Sequence, residues 1–176
     1  MTGCNIHGNG NGNNGGATHE QYFNGDVNGV LTQTNCIAAC GDLATHALKT
    51  RFGTNTLSGC GWTSNASPTG AAANAGAIVD VPNCGRFSAS VCTFNLLAGS
   101  PNHDLLSYGS DGAQNATKGM QVSLRSCVVK DGTGTGGVFR AIQPNSMIDV
   151  TGMTYTGTAA PQFIGWASVT GTPTKV

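Results

Sequence analysis

Across 176 residues the chain carries eight basic and eight acidic side chains, no formal net charge, and no run of lysine or arginine. That balance excludes the basic surface by which proteins hold nucleic acid, and no apolar run approaches the length of a membrane-spanning helix. Glycine, at 27 residues, is about twice its usual share, and charged residues are 9%, against about 25% in ordinary domains. With 39% hydrophobic residues, this is the composition of one folded domain and not of a disordered chain.

The start, "MTGCNIHGNG", lacks the basic and apolar regions of a signal peptide, so no export address is expected in it. The first element is "TGCNI", Thr2 to Ile6, followed by the Gly/Asn-rich stretch Gly8 to Gly16. No Lys-Ser/Thr follows those glycines, so a phosphate loop is not expected there. Next come "HEQYFNG" from His19, "TNCIA" at Thr34 to Ala38 and "HALKTR" at His46 to Arg51. Between the last two, Cys36 to Lys49 has partly helical spacing, but Gly41-Asp42 breaks it and leaves at most one helical turn near Ile37 to Cys40. "LSGCGW" (Leu57 to Trp62), "AIVDVP" (Ala77 to Pro82), "SVCTF" (Ser90 to Phe94) and "DLLSYG" (Asp104 to Gly109) follow, then "LRSCVV" (Leu124 to Val129), "GVFRAI" (Gly137 to Ile142) and "VTGMTY" (Val150 to Tyr155). The tail from 158 to 176 reads as a last strand and cap.

Two columns emerge from these elements. Setting Cys4, Cys36, Cys60, Cys92, Cys127 and Met153 in register places Ile6, Ala38, Trp62, Phe94, Val129 and Tyr155 two positions later, all apolar or aromatic. The intervals between members are 32, 24, 32, 35 and 26 residues. Stacked helices tolerate such variation poorly, whereas coiled short strands absorb it in corner loops. The second column aligns Leu48, Val79, Leu106 and Phe139, and the next position reads Lys49, Asp80, Ser107 and Arg140, with Glu20 or Tyr22 in the preceding coil. The expected fold is all-β: a single-stranded right-handed parallel β-helix of about six to seven irregular rungs, in one domain spanning 1–176. Residues 1–30 would form the first rungs, 31–157 the central ones, and 158–176 the C-terminal strand or cap.

The phrases "HALKTRFGTNTLSGCGW", "AIVDVPNCGRFSASVCTF", "DLLSYGSDGAQNATKGMQVSLRSCVV" and "SMIDVTGMTYTG" resemble the right-handed parallel β-helix, pectate-lyase-like superfamily, with its polysaccharide lyases, glycosidases and phage tailspikes. The resemblance implies a fold and not a reaction. It also implies a cap over the open core, so that either this chain is a piece of a larger protein or a partner chain covers that end; other subunits, as a homotrimer or larger assembly on a virion or extracellular surface, are the expectation. A polysaccharide or cell-surface glycan is the implied ligand.

Function narrows to the polar column. Glycoside hydrolysis needs two facing carboxylates, for which Asp80 and Asp104 are best placed. A lyase needs a base and a cation, for which Lys49 and Arg51 stand alongside. Glu20, Tyr22, His46, His103, Tyr108 and Arg140 are the candidate substrate contacts. The competing expectation is a ladder of ion pairs among Glu20, Lys49, Asp80 and Arg140, each of little energetic worth. Trp62, Phe94 and Tyr155 belong to the core column, while Tyr22, Tyr108 and Trp166 could offer flat faces to sugar rings. Asp111 and Asp131, each followed by glycine, suit turns better than calcium ligation.

Seven cysteines without a paired C-x-x-C pattern, and four scattered histidines, give no zinc motif. No metal and no cofactor is expected. Vertical disulfides are geometrically open to neighbours in the column, but thiols packed as small hydrophobes are the expectation.

Overall fold

The computed structural model describes residues 1–7, 18–40, 44–64, 77–82, 85–100, 104–108 and 119–176. Among them there is no helix, and every strand pairing is parallel. The chain winds through three sheets in turn. The first holds β2 (Thr18–Phe23), β5 (Ala44–Thr50), β8 (Val79–Asp80), β11 (Asp104–Tyr108), β14 (Val138–Ala141) and β17 (Gln162–Ile164). The second holds β3 (Val30–Thr34), β6 (Thr54–Ser58), β9 (Arg86–Ser90), β12 (Gln121–Arg125), β15 (Met147–Asp149) and β18 (Ser168–Thr170). The third holds β1 (Asn5–His7), β4 (Ile37–Ala39), β7 (Gly61–Thr63), β10 (Thr93–Leu96), β13 (Val128–Asp131), β16 (Thr154–Thr156) and β19 (Thr174–Lys175). Each strand pairs with the one three later in sequence, which is the connectivity of a parallel β-helix. A right-handed sense is the one that crossovers between parallel strands of one sheet favour.

Local chemistry fixes the corners. From β3 to β4, β6 to β7, β9 to β10 and β12 to β13 the chain turns in two residues, and the residue before each column sulfur has positive φ: Gly3 (62°), Asn35 (53°), Gly59 (62°), Val91 (55°), Ser126 (52°) and Gly152 (71°). The constant length of this corner preserves the cysteine register through loops of any size elsewhere. Backbone pairing places Ala38, Trp62, Phe94, Val129 and Tyr155 directly one above another. The helical turn expected at Ile37 to Cys40 is instead strand β4, because its three residues extend to pair with β1 and β7.

From β3 to β16 the strands of the second and third sheets alternate in and out, as in β6, where Asn55 and Leu57 are buried and Thr56 and Ser58 exposed. The first sheet departs from this rule. In β11 a bulge between Asp104 and Leu106 turns both Leu105 and Leu106 inward, so Asp104 and Ser107 share the outer face three residues apart. The core is a stack of rings and aliphatics: Trp62 meets Phe94 at 5.3 Å, Phe94 meets Phe139 edge-on at 5.7 Å, and Phe139 stacks on Phe163 at 5.3 Å. Each such pair adds about 0.5–1.5 kcal/mol beyond its buried area.

At the lower end, Asp131 secures a corner. Its Oδ1 accepts from Thr133 N (2.9 Å), Thr133 Oγ1 (2.5 Å) and Gly134 N (3.2 Å), and its Oδ2 from Gly136 N (2.9 Å) and Tyr155 OH (2.6 Å). This is the turn role expected of it. Asp111, by contrast, lies outside the described residues, as does the Gly8 to Gly16 stretch.

Candidate functional site

The register of the first sheet assembles the polar column. Tyr22 pairs with Lys49, Lys49 with Asp80, Asp80 with Ser107, Ser107 with Arg140, and Arg140 with Ile164. Tyr22, not Glu20, therefore occupies the place above Lys49. Glu20 is buried at 5% exposure, because it and Gln21 both turn inward, as Ala47 and Leu48 do in the strand beneath. That removes Glu20 from the outer ladder and from surface glycan contact.

Five of the residues singled out from sequence form one cluster. Lys49 Nζ lies 3.0 Å from Asp80 Oδ2, both side chains 14% exposed, and His46 Nε2 lies 3.7 Å from the same oxygen. His46 Nδ1 meets the Ala77 carbonyl at 2.5 Å. A carbonyl only accepts, so Nδ1 carries the proton and Nε2 of the neutral ring is bare toward Asp80. Burial holds His46 below its ordinary pKa, against the opposing attraction of the Asp80 carboxylate. Above it, His19 stacks on His46 at 4.9 Å and tilts against Tyr22 at 5.3 Å, and the Arg51 guanidinium lies 5.7 Å from the Tyr22 ring centre. Tyr22 is 45% exposed and presents the one flat ring of this cluster to solvent among the described residues.

Asp104 and Arg140 form a separate pair, with Arg140 Nε 2.9 Å from Oδ2 and its terminal nitrogen 3.3 Å from Oδ1. The bulge in β11 brings Asp104 to the face that Arg140 occupies one coil below. The expected ladder of alternating charge thus resolves into two pairs, Lys49 with Asp80 and Arg140 with Asp104. Each carboxylate proposed as acid or nucleophile is neutralised by a cation within hydrogen-bond distance.

Tyr108 corrects another expectation. It is fully buried, its ring stacked on Trp166 at 5.7 Å, and it cannot face a sugar. The alternation Leu106 in, Ser107 out already assigns Tyr108 to the interior. Trp166 is half-buried, with its indole N–H donating to Phe139 O at 2.9 Å. His103 lies outside the described residues.

Sequence reasoning missed the outer face of the second sheet. Register there stacks Thr32, Thr56, Ser88, Ser123, Asp149 and Thr170 in one row, and Thr34, Ser58, Ser90 and Arg125 in the next. The rows bound an open groove of about 570 Å³, flanked by Arg86, Gln121 and Met147. Arg125, 69% exposed, bonds Asp149 Oδ2 at 2.9 Å and 3.2 Å, while Asp149 Oδ1 accepts from Thr151 N (3.0 Å) and Thr151 Oγ1 (2.5 Å). In sequence the rows leave only a Ser or Thr four and two positions before Cys36, Cys60 and Cys92: Thr32 and Thr34, Thr56 and Ser58, Ser88 and Ser90.

The described cysteines Cys4, Cys36, Cys40, Cys60, Cys92 and Cys127 are thiols, not disulfides. A hydrogen bond with the Cys127 thiol, and after it burial, push the Cys92 thiol up to about 11. Comparison with known proteins returns no matching family model, curated protein or solved structure.

Proposed function

We propose that the chain is a non-catalytic, glycan-facing β-helix module of a surface assembly such as a virion or cell envelope, kin to the pectate-lyase-like solenoids. The observation that carries this reading is that Asp80 and Asp104 are both held in ion pairs, by Lys49 at 3.0 Å and Arg140 at 2.9 Å. With each carboxylate engaged by a cation of its own sheet and not turned to a substrate, the polar faces are read as recognition surfaces. The hydroxyl rows of the second sheet repeat every coil, about 4.8 Å, a step commensurate with one pyranose ring along the solenoid axis. Hydroxyls, Gln121 and the Arg86 and Arg125 guanidinia offer the hydrogen bonds that an extended polysaccharide presents in kind. In the assembly, further subunits pack beside this one.

A glycan-array screen followed by calorimetry tests the reading. Binding to an extended polysaccharide is expected to weaken about tenfold or more in Arg125→Ala, as the loss of one charged hydrogen bond implies. Binding unchanged by Arg125→Ala and by Ser88→Val would remove this face from the account.

A second reading rests on the His46, Lys49 and Asp80 cluster: a polysaccharide lyase or glycoside hydrolase, or its remnant, in which a neutral His46 would act as base. Release of unsaturated uronate or reducing ends, abolished by His46→Gln, is the result that would favour it.

A further inference from the structure

Six sulfur-bearing residues stand one above another at the corner between the second and third sheets: Cys4, Cys36, Cys60, Cys92, Cys127 and, in the sixth place, Met153. All but Cys4 are buried, and Cys4 is half-buried at the upper end. The five thiols make the same bond, each donating to the carbonyl two residues back at 3.3–3.6 Å. Five sulfurs therefore leave the backbone in one direction and form a line. Neighbours also touch: the Cys60 N–H donates to Cys92 Sγ at 3.4 Å.

We propose that this column is a binding site for soft monovalent d10 cations, copper(I) or silver(I), held as a string in which each ion lies between the sulfurs of successive coils. Spacing is the first argument. Coils repeat at about 4.8 Å, about twice a metal–thiolate bond of ~2.3 Å, so an ion midway between two thiolates reaches both without moving either strand. Donor chemistry is the second, since an all-sulfur site selects soft ions. Borderline ions such as zinc gather four donors around a point, and among the described residues no three His, Cys, Asp or Glu side chains converge in that way.

Charge balance is the third argument. The column has four gaps between its five thiols and a fifth between Cys127 and the Met153 thioether. Five ions fill them as five thiols each lose one proton to solvent, so five thiolates and five cations leave the string neutral. Each ion takes the place of a thiol hydrogen. No sulfur changes oxidation state, and no net charge enters the core, where it would be costly. The string is independent of the glycan reading.

The test uses the reduced full chain as Cys40→Ser/Cys84→Ser, which leaves the column as its complement of thiols, titrated with silver(I) without oxygen. Native mass spectrometry counts bound ions, a pH-stat counts protons, and X-ray absorption counts sulfur neighbours. Five ions, five protons and two sulfurs per ion are expected. Adding Cys92→Ala removes two adjacent gaps and lowers the count from five to three. Adding Met153→Leu, which keeps the core filled, lowers it from five to four. The proposal is overturned if each cysteine removed costs one ion whatever its place, if silver has one sulfur neighbour, or if binding appears only after unfolding in urea.

Discussion

Tyr155 donates its hydroxyl to Asp131 Oδ2 at 2.6 Å, across 24 residues of sequence, and so ties the core of one coil to the corner of the coil before it. Burial opposes the charge on Asp131, yet bonds from Thr133, Tyr155 and Gly136 hold its carboxyl below the usual carboxylate range. Asp131→Ala leaves those donors without their acceptor and is expected to cost about 2–4 kcal/mol. Urea unfolding measures it. A folded-state value depressed below the unfolded value contributes stability that is present above the unfolded carboxylate range, near pH 4, and is lost as pH falls through the folded value. The wild-type chain should therefore lose stability below about pH 4 more steeply than Asp131→Asn.

The His46 site carries the opposite group with a related sign. Its folded value is depressed by burial, so the unfolded chain takes up the proton first. Stability present above about pH 6.5 should decline as pH falls from there toward the folded value. Asp80→Asn removes the attraction that supports the imidazolium, and an NMR titration should then place His46 lower still. An unchanged value would show that Asp80 does not act on His46.

Lys49 and Asp80 are both nearly enclosed, so their pair lies between the exposed and buried limits. A double-mutant cycle on Lys49→Met and Asp80→Asn is expected to give a coupling of about 1–3 kcal/mol. A coupling near zero would mean that solvent screens the pair.

Val91 holds a left-handed conformation at φ 55° with 66% of its surface exposed. A β-branched residue there is strained by about 1–2 kcal/mol and gains little by packing. Val91→Gly should accordingly raise stability by about 1 kcal/mol. Gly59→Ala, at φ 62° with its added Cβ against Asn35 Oδ1, should lower it by a similar amount. Thermal unfolding of both variants reads the two effects, and opposite signs are the expected result.

The cysteine column was legible in sequence because its corner has constant length. Two residues, the first in the left-handed region, leave no freedom for insertion, so Cys60 and Trp62 keep their places whatever the loops do. The polar column was legible in register, since Lys49, Asp80, Ser107 and Arg140 do stack, but not in its contacts. The bulge at Asp104 and Leu106 is a backbone event with no residue signature, and it moves Asp104 to the face of Arg140. The inward pair Glu20 and Gln21 escaped for the same reason: polar residues seldom turn inward together. The hydroxyl rows of the second sheet were hidden by composition, because Ser and Thr are as frequent in the turns of this chain as in its strands.

In the proposed function these polar faces recognise without reacting. Its most direct test is to incubate the purified chain with each polysaccharide it binds and to measure reducing ends and unsaturated uronate over days. Binding with no product above a chain-free control is the expected result. Steady product release by the wild-type chain, lost in Asp80→Asn or His46→Gln with the fold intact, would contradict it.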